Sequence, residues 1–406
     1  MANEVRQHQR GAAMTAGGST GPGHMLRLIR SGEAVTRREL QEVLGLSRST
    51  VVHRLDVLLD AGWVKESGVE SSTGGRPPTR LEFDEGHAVV LTADLDTTHA
   101  RAAVLDLGGR PLAESTAALR VADGPVPVLD RVAEWFRTLL AEAGRGADEV
   151  CGIGLSVPGP IDFPSGRPVL PPIMPGWDAF PIREHLRQHF DVDVLVDNDA
   201  NLMALGEHAA GYPDCPTFAL VKVSTGIGAG AIVGGSVLRG IDGGEGDIGH
   251  IRMNGADADA ALCQCGGYGC LAALASGGAL ARALTELGVP TASGSGVREH
   301  LRAGQPDAVR LSRAAGQRVG EVLTTVVSLL NPGVLMIAGD LAEPNFVTGM
   351  REVLYKRALP RITRHLDVVT GLLGEHAGLR GAGHLVVDHL YAPAQADARL
   401  RKGAGA

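Results

Sequence analysis

At 406 residues the chain is too long for one small core, and two or three domains are expected. With 44% hydrophobic and 21% charged residues the composition is that of a globular protein, and the net charge of −8 excludes a chain that binds nucleic acid along its whole length. The charge is uneven: the first 83 residues carry a slight basic excess and the rest is acidic, which fits a small DNA-contacting head on an acidic body.

Residues 1–20 are polar and rich in Gly, Ser and Ala, and are expected to form a disordered arm. Met25, Leu26, Leu28 and Ile29 then predict a first helix ending near Ser31-Gly32. Thr36 and Glu39 read as a capping box that opens a second helix through Leu40, Val43 and Leu44, with Gly45 ending it. Ser47 caps a third helix whose Val51, Leu55, Leu58 and Leu59 share a face, and Gly62 closes it. Two strand candidates, Trp63-Val64-Lys65 and Leu81-Glu82-Phe83, flank the turn-rich Gly74-Gly75-Arg76-Pro77-Pro78.

Three helices, a short turn and a hairpin make a winged helix-turn-helix over residues 21–83. In that motif the first turn of the third helix enters the major groove. Arg48 can pair with guanine, Ser49 and Thr50 can reach phosphates or base edges, and His53 and Arg54 lie one turn on. Arg76, between glycine and proline, would reach the minor groove or the backbone.

After residue 84 strands alternate with helices and glycine-rich turns, an α/β pattern. Strands are predicted near 88–94, 102–106, 150–155, 192–196, 218–223, 230–233 and 334–337. Helices are predicted near 126–143, 181–190, 199–210, 308–330 and 345–358. The apolar run Val322–Ala338 is interrupted by Asn331-Pro332-Gly333, so no membrane span is expected. The N-terminus shows no apolar leader, and a cytoplasmic location is expected. Five cysteines, three of them clustered as Cys263, Cys265 and Cys270, argue against a disulfide framework and for a metal site. Cys151 and Cys215 read as core residues.

Several motifs together resemble the ROK family of repressors and sugar kinases. They are Val223-Ser-Thr-Gly226-Ile-Gly228-Ala-Gly230-Ala, then Gly240 and Gly246-Asp247-Ile-Gly249-His250. Before them come Gly152-Ile-Gly-Leu-Ser-Val-Pro158-Gly159-Pro160, Pro175-Gly176-Trp177, Asp197-Asn198-Asp199-Ala200-Asn201 and Gly206-Glu207; after them comes Cys263-Gln-Cys265-Gly-Gly-Tyr-Gly-Cys270-Leu. The resemblance implies an actin-like fold of two ribonuclease-H-like lobes. The first lobe would span 84–200, completed by a helix near 376–392. The second, with the metal site, would span 201–375, and 393–406 would be a flexible tail.

It also implies a sugar cleft. Asp199 matches the family's catalytic base, Asn198 its hydroxyl-binding neighbour, and Asp247, His250 and Gly159 further sugar contacts. The Asn198-Asp199 pair also reads as a plain helix cap. His250 with Cys263, Cys265 and Cys270 matches a structural Cys₃His zinc site. Three departures stand out. Asp247 replaces a glutamate. Ala272 follows Cys270-Leu271 where the family carries a sugar-binding glutamate. The phosphate loop reads Asp94-Leu95-Asp96-Thr97-Thr98 where the family has two glycines. Asp94, Thr225, Gly226, Gly228 and Gly339 remain as a degenerate nucleotide set, and neither ATP nor Mg²⁺ is expected.

The expectation is a sugar-responsive DNA-binding transcriptional regulator of carbohydrate genes, a repressor that has lost kinase activity. It would act as a homodimer or homotetramer on operator DNA with a sugar or sugar derivative as effector. The alternative is an ATP-dependent sugar kinase that carries a DNA-binding domain.

Overall fold

A computed structural model describes residues 21–69 and 79–403; the N-terminal arm and the wing tip with Arg76 lie outside the described residues. The chain divides into two compact units, Met1–His87 with Val387–Ala406, and Ala88–Val386.

In the first unit the helices are α1 (Pro22–Arg30), α2 (Arg37–Leu44) and α3 (Arg48–Asp60), followed by the antiparallel pair β1 (Val64–Val69) and β2 (Thr79–Phe83). Each boundary has a local cause. The Thr36–Glu39 capping box opens α2, and Gly45, with φ 64°, ends it in the left-handed conformation that glycine adopts freely. The Ser47 hydroxyl accepts the Thr50 N–H at the start of α3. Met25, Leu26, Leu28, Leu40, Leu55, Leu58 and Leu81 are fully buried between these elements.

Residues 393–403 are not a flexible tail. Pro393–Gly403 is a helix that packs against α1. The N-cap of α1, Gly21, has no side chain to offer, and the buried Asp397 takes its place by accepting the Gly23 N–H at 2.7 Å. Ala396, fully buried, adds the apolar contact that the composition of this stretch concealed. Nearby, Tyr391 packs edge-on against Trp63, Phe83 and His87, and its hydroxyl lies 2.7 Å from His87 Nε2.

The second unit holds two five-stranded sheets of the same design. In the first, β3 (Val89–Leu95) is central. β4 (His99–Asp106) and β5 (Pro111–Ala118) run antiparallel on one side, while β6 (Val150–Val157) and β7 (Asp193–Asn198) run parallel on the other. In the second, β8 (Thr217–Val223) is central. β9 (Ile227–Val233) and β10 (Ser236–Val237) are antiparallel to it in turn, while β11 (Val334–Ala338) and β12 (Asp367–Thr370) are parallel. Helix Pro125–Ala143 covers the first sheet, and Pro306–Leu330 with Pro344–Arg357 covers the second.

Two equivalent helices, Asp199–Gly211 after β7 and Ala377–Leu390 after β12, cross between the sheets. They meet backbone to backbone: a Cβ at Gly206 would overlap the Ala377 carbonyl, and one at Gly381 would overlap that of Leu202. Gly230 lets β9 lie on the first of these helices, and Gly154 lets β6 lie on the second.

Two measurements test the first unit. Asp397→Ala removes the cap of α1 and is expected to destabilise that unit by about 1 kcal/mol in denaturant titration. Burial among the rings holds His87 below the ordinary histidine range, against the opposing pull of the Asp84 carbonyl. The unfolded chain therefore takes up this proton first, near pH 6.5. The stability His87 contributes is complete above that pH and is lost as pH falls through the lower folded value. Between about pH 7.5 and 5, His87→Phe is expected to flatten the acid limb of the stability curve.

Candidate functional site

A cavity of about 510 Å³ opens in the second unit. One wall comes from the loop after β6, with Pro158, Gly159 and Pro160, and from residues 169–173. The opposite wall comes from Asp247, His250, Leu262, the cysteine segment and Ala272. The floor holds Asn198 and Asp199 at the start of their helix, Lys222 from β8, and the Thr225–Gly228 turn. Gly159, Asn198, Asp199, Asp247 and His250 are thus brought together. Of the degenerate nucleotide set, Thr225, Gly226 and Gly228 line the cavity, whereas Asp94 and Gly339 do not.

The polar groups of the floor are already engaged. The Asn198 carbonyl oxygen accepts the Ala200 N–H at 2.9 Å, and its amide donates to Gly159 O at 3.0 Å. Asp199 Oδ1 accepts the Ala200 N–H at 2.7 Å, and Oδ2 accepts Lys222 Nζ at 2.6 Å. Capping and ligand-facing placement therefore coexist in these two residues. An aspartate oxygen keeps a second lone pair, so it can still accept from a hydroxyl. Both oxygens of this carboxylate are nevertheless engaged, one by a backbone N–H and the other by an ammonium.

Lys222 is the residue that sequence reasoning missed. The available signal was a lone charge in the apolar strand Phe218-Ala-Leu-Val-Lys222-Val, on the central strand of its sheet. Burial works against its ammonium, but Asp199, Asp96 and Asp94 outweigh burial and raise its pKa above that of ordinary lysine. Asp94 is pushed up by burial, with Lys222 and the Ser156 hydroxyl opposing. Burial also acts to raise Asp96, yet Lys222 and the Thr97 N–H hold it below the usual carboxylate range.

The stretch after β3 is folded tightly on itself. The Asp96 N–H bonds to His99 O at 2.9 Å, which makes residues 96–99 a tight hairpin, and Thr97 Oγ1 meets Thr225 Oγ1 at 3.3 Å. Ala272, Leu262 and Ile227 give this part of the cavity an apolar character.

Beside the cavity His250, Cys263, Cys265 and Cys270 converge, their ligand atoms all within 4.8 Å of one another. His250 Nδ1 lies 3.7 Å from Cys263 Sγ, and Cys265 Sγ lies 3.7 Å from Cys270 Sγ. A tetrahedral zinc ion with Zn–S bonds of about 2.3 Å has sulfur–sulfur edges of about 3.8 Å, so the donor set fits that ion. Gly266 and Gly269, at φ 87° and 75°, shape the turns between the cysteines. Cys151 and Cys215 are partly exposed rather than core residues, and the Cys215 thiol donates to Thr217 O.

In the first unit Arg48, Ser49 and His53 are exposed on α3, and Thr50 and Arg54 are half-buried. The Thr50 hydroxyl is shared with Ser47 at 2.8 Å and so belongs to the cap. The same face exposes Val52, 37% accessible, which the sequence reading passed over as one more apolar helix residue. An exposed valine there suits a thymine methyl.

Residues 90–389 match the ROK family, and residues 24–65 match the winged helix-turn-helix DNA-binding family. The chain belongs to the ROK family. It is 28% identical to the putative xylose repressor of Caldicellulosiruptor sp. (strain Rt8B.4) over 393 residues, covering 91% of this chain and 95% of that protein. Its fold is similar to the crystal structure of a ROK family transcriptional regulator homologous to the E. coli MLC protein. The TM-score is 0.79 at 23% identity, over 94% of this chain and 98% of the other. Against a ROK hexokinase from Thermus thermophilus the identity is 33% and the TM-score 0.59, over 73% of this chain and 97% of the hexokinase. No helix among the described residues is long and apolar enough to cross a membrane.

Dialysis of this ROK protein against a strong chelator is expected to release one zinc per chain and to lower the thermal midpoint. Cys270→Ser should do the same without chelator, read by metal analysis and calorimetry.

Proposed function

We propose that this ROK protein is a sugar-responsive, DNA-binding transcriptional regulator of carbohydrate genes, a repressor whose cleft binds a sugar without phosphorylating it. The observation that carries the reading is the pairing of a winged helix-turn-helix with a ROK cleft in which Lys222 holds Asp199 Oδ2 at 2.6 Å. Relatives that match about nine-tenths of this chain are named xylose repressor and N-acetylglucosamine repressor.

In this reading α3 lies in the major groove, with Arg48 on a guanine, Val52 on a thymine methyl and Ser49, His53, Arg54 and the wing's Arg76 on the backbone or nearby edges. Asn198, Asp199, Asp247, His250 and Gly159 meet the hydroxyls of a neutral sugar. A structural zinc ion on Cys263, Cys265, Cys270 and His250 Nδ1 fixes the imidazole so that Nε2 serves the ligand. The hydroxyl that a glutamate would grip goes uncontacted beside Ala272, which favours a sugar lacking that hydroxyl or carrying an apolar substituent there. Two or four copies would present paired heads to a palindromic operator in the cytoplasm.

Phosphoryl transfer needs a free base and a phosphate cradle. Neither is supported where Lys222 occupies Asp199 and where Asp96 and Thr97 replace two glycines.

Gel retardation of its own promoter DNA at fixed salt, titrated with a panel of pentoses, hexoses and amino sugars, tests the reading. One sugar is expected to release the DNA. Arg48→Ala should weaken specific binding about 5- to 150-fold, the worth of one bidentate base contact. Absence of retardation at every sugar concentration would sink the proposal. Sugar-dependent ADP release that disappears in Asp199→Asn would instead establish the kinase reading.

A further inference from the structure

Lys222 lies on the central strand of the second sheet, and its charge is felt by carboxylates from three places. Asp199 opens the helix between the sheets, Asp94 ends the central strand of the first sheet, and Asp96 sits in the hairpin beyond it. The Lys222 and Asp199 side chains are only 16% and 11% exposed. Two carboxylates lining the cleft, Asp199 and Asp96, with a third, Asp94, buried outside the lining, make the environment that ordinarily recruits a divalent cation to carry phosphate. Here the counter-charge is covalently part of the chain.

We propose that Lys222 is a built-in cation that neutralises this acidic floor and joins the two sheets across it, so that the floor is assembled without Mg²⁺ or nucleotide. Lys222 acts as a positioning residue: it holds Asp199 as a hydrogen-bond acceptor for a sugar hydroxyl and leaves Asp96 and Asp94 without demand for Mg²⁺. Thr97 and Thr225 meet hydroxyl to hydroxyl across the same floor. The inference deepens the non-transferring reading of the cleft. Its test uses neither sugar nor DNA, so either can fail without the other.

The experiment is thermal unfolding of the full chain with zinc in place. Lys222→Met leaves three carboxylates with no counter-charge and is expected to lower the midpoint by roughly 5–10 °C. Lys222→Arg should restore most of it. Adding Asp96→Asn to Lys222→Met should raise the midpoint, because it removes an uncompensated charge. In the parent protein Asp96→Asn should lower the midpoint or leave it unchanged. That reversal of sign is what a packing role for the lysine stem would not produce. Millimolar Mg²⁺·ATP should leave the parent midpoint unmoved, since a ligand that binds only the native state must raise it.

A Lys222→Met protein as stable as the parent overturns the proposal. So does an Asp96→Asn effect of the same sign in both backgrounds, or a Mg²⁺·ATP shift in the parent that Asp96→Asn changes. Should neither lysine variant nor the double variant fold, the Mg²⁺·ATP measurement on the parent decides: no shift supports the built-in cation, and a shift refutes it.

Discussion

The close crossing of two helices at Gly206 and Gly381 is the constraint from which the cleft follows. Side chains at either position would force the helices apart, because each glycine lies against the other helix's backbone. Each helix also rests on one sheet through a glycine of a strand, Gly230 or Gly154, so both lobes are referenced to one contact. The first turns of these helices are where the carboxylates stand. Asp199 begins one, and Gly378 at the start of the other leaves no room for a Cβ beside Asp94. Glu207, next to Gly206 and fully buried, accepts the N–H groups of Leu372 and Leu373 at 2.9 Å and so fixes the chain just before the second helix. Burial pushes its carboxyl up despite those two donors, which marks it as a brace rather than a solvent-facing acid.

On that frame, charge decides what the cleft can do. Two ion pairs lie in and near it: Lys222–Asp199 on the floor at 2.6 Å, and Arg239–Asp197 at 2.5 Å outside the lining, with Asp197 2% exposed. Arg239 also lies 3.7 Å above the Phe163 ring, so its guanidinium is held by a charge and an aromatic face together. With Asp199 already paired to Lys222, the floor offers a ligand leftover lone pairs and N–H groups for hydroxyls rather than a free carboxylate. Polyol binding suits such a site; stabilising the charge that builds up on a transferred phosphoryl group does not.

What the amino-acid sequence disclosed followed from how local each determinant is. The helix boundaries of the head were legible because Thr36 with Glu39, Gly45 and Ser47 act within a few residues of themselves. The cysteine segment was legible because three ligands lie within eight positions and the fourth, His250, sits in a recognisable glycine-rich stretch. Strand β5 was passed over because none of its residues is buried, so no apolar alternation marks it. The C-terminal helix was taken for a tail because its partner, the uncapped start of α1, is 374 positions away. Lys222 escaped for a similar reason. Its partners come from one strand's end, the hairpin beyond it and a helix, and a lysine inside an apolar strand looks like an exception until they are seen around it.

A ligand shifts the lobes only by binding one arrangement better than another. Within the second unit, residues of the two sheets already meet through Thr97 and Thr225, through Arg239 with Asp197, and through Glu375, which pairs with both Arg101 and Arg298. The side chains of Asn198 and Asp199 are bound to their own helix and to Gly159 or Lys222, so their geometry is set before any sugar arrives. The differential affinity must then come from a ligand that touches both walls at once. Pro158, Gly159 and residues 169–173 offer apolar and backbone contact on one side, and Asp247 and His250 offer polar contact on the other. His250 on that side stands beside the cysteine cluster, its Nδ1 3.7 Å from Cys263 Sγ. A sugar bridging from that wall to Gly159 would be gripped only when the two sheets stand at one angle, and that selectivity is what a regulator requires of its effector.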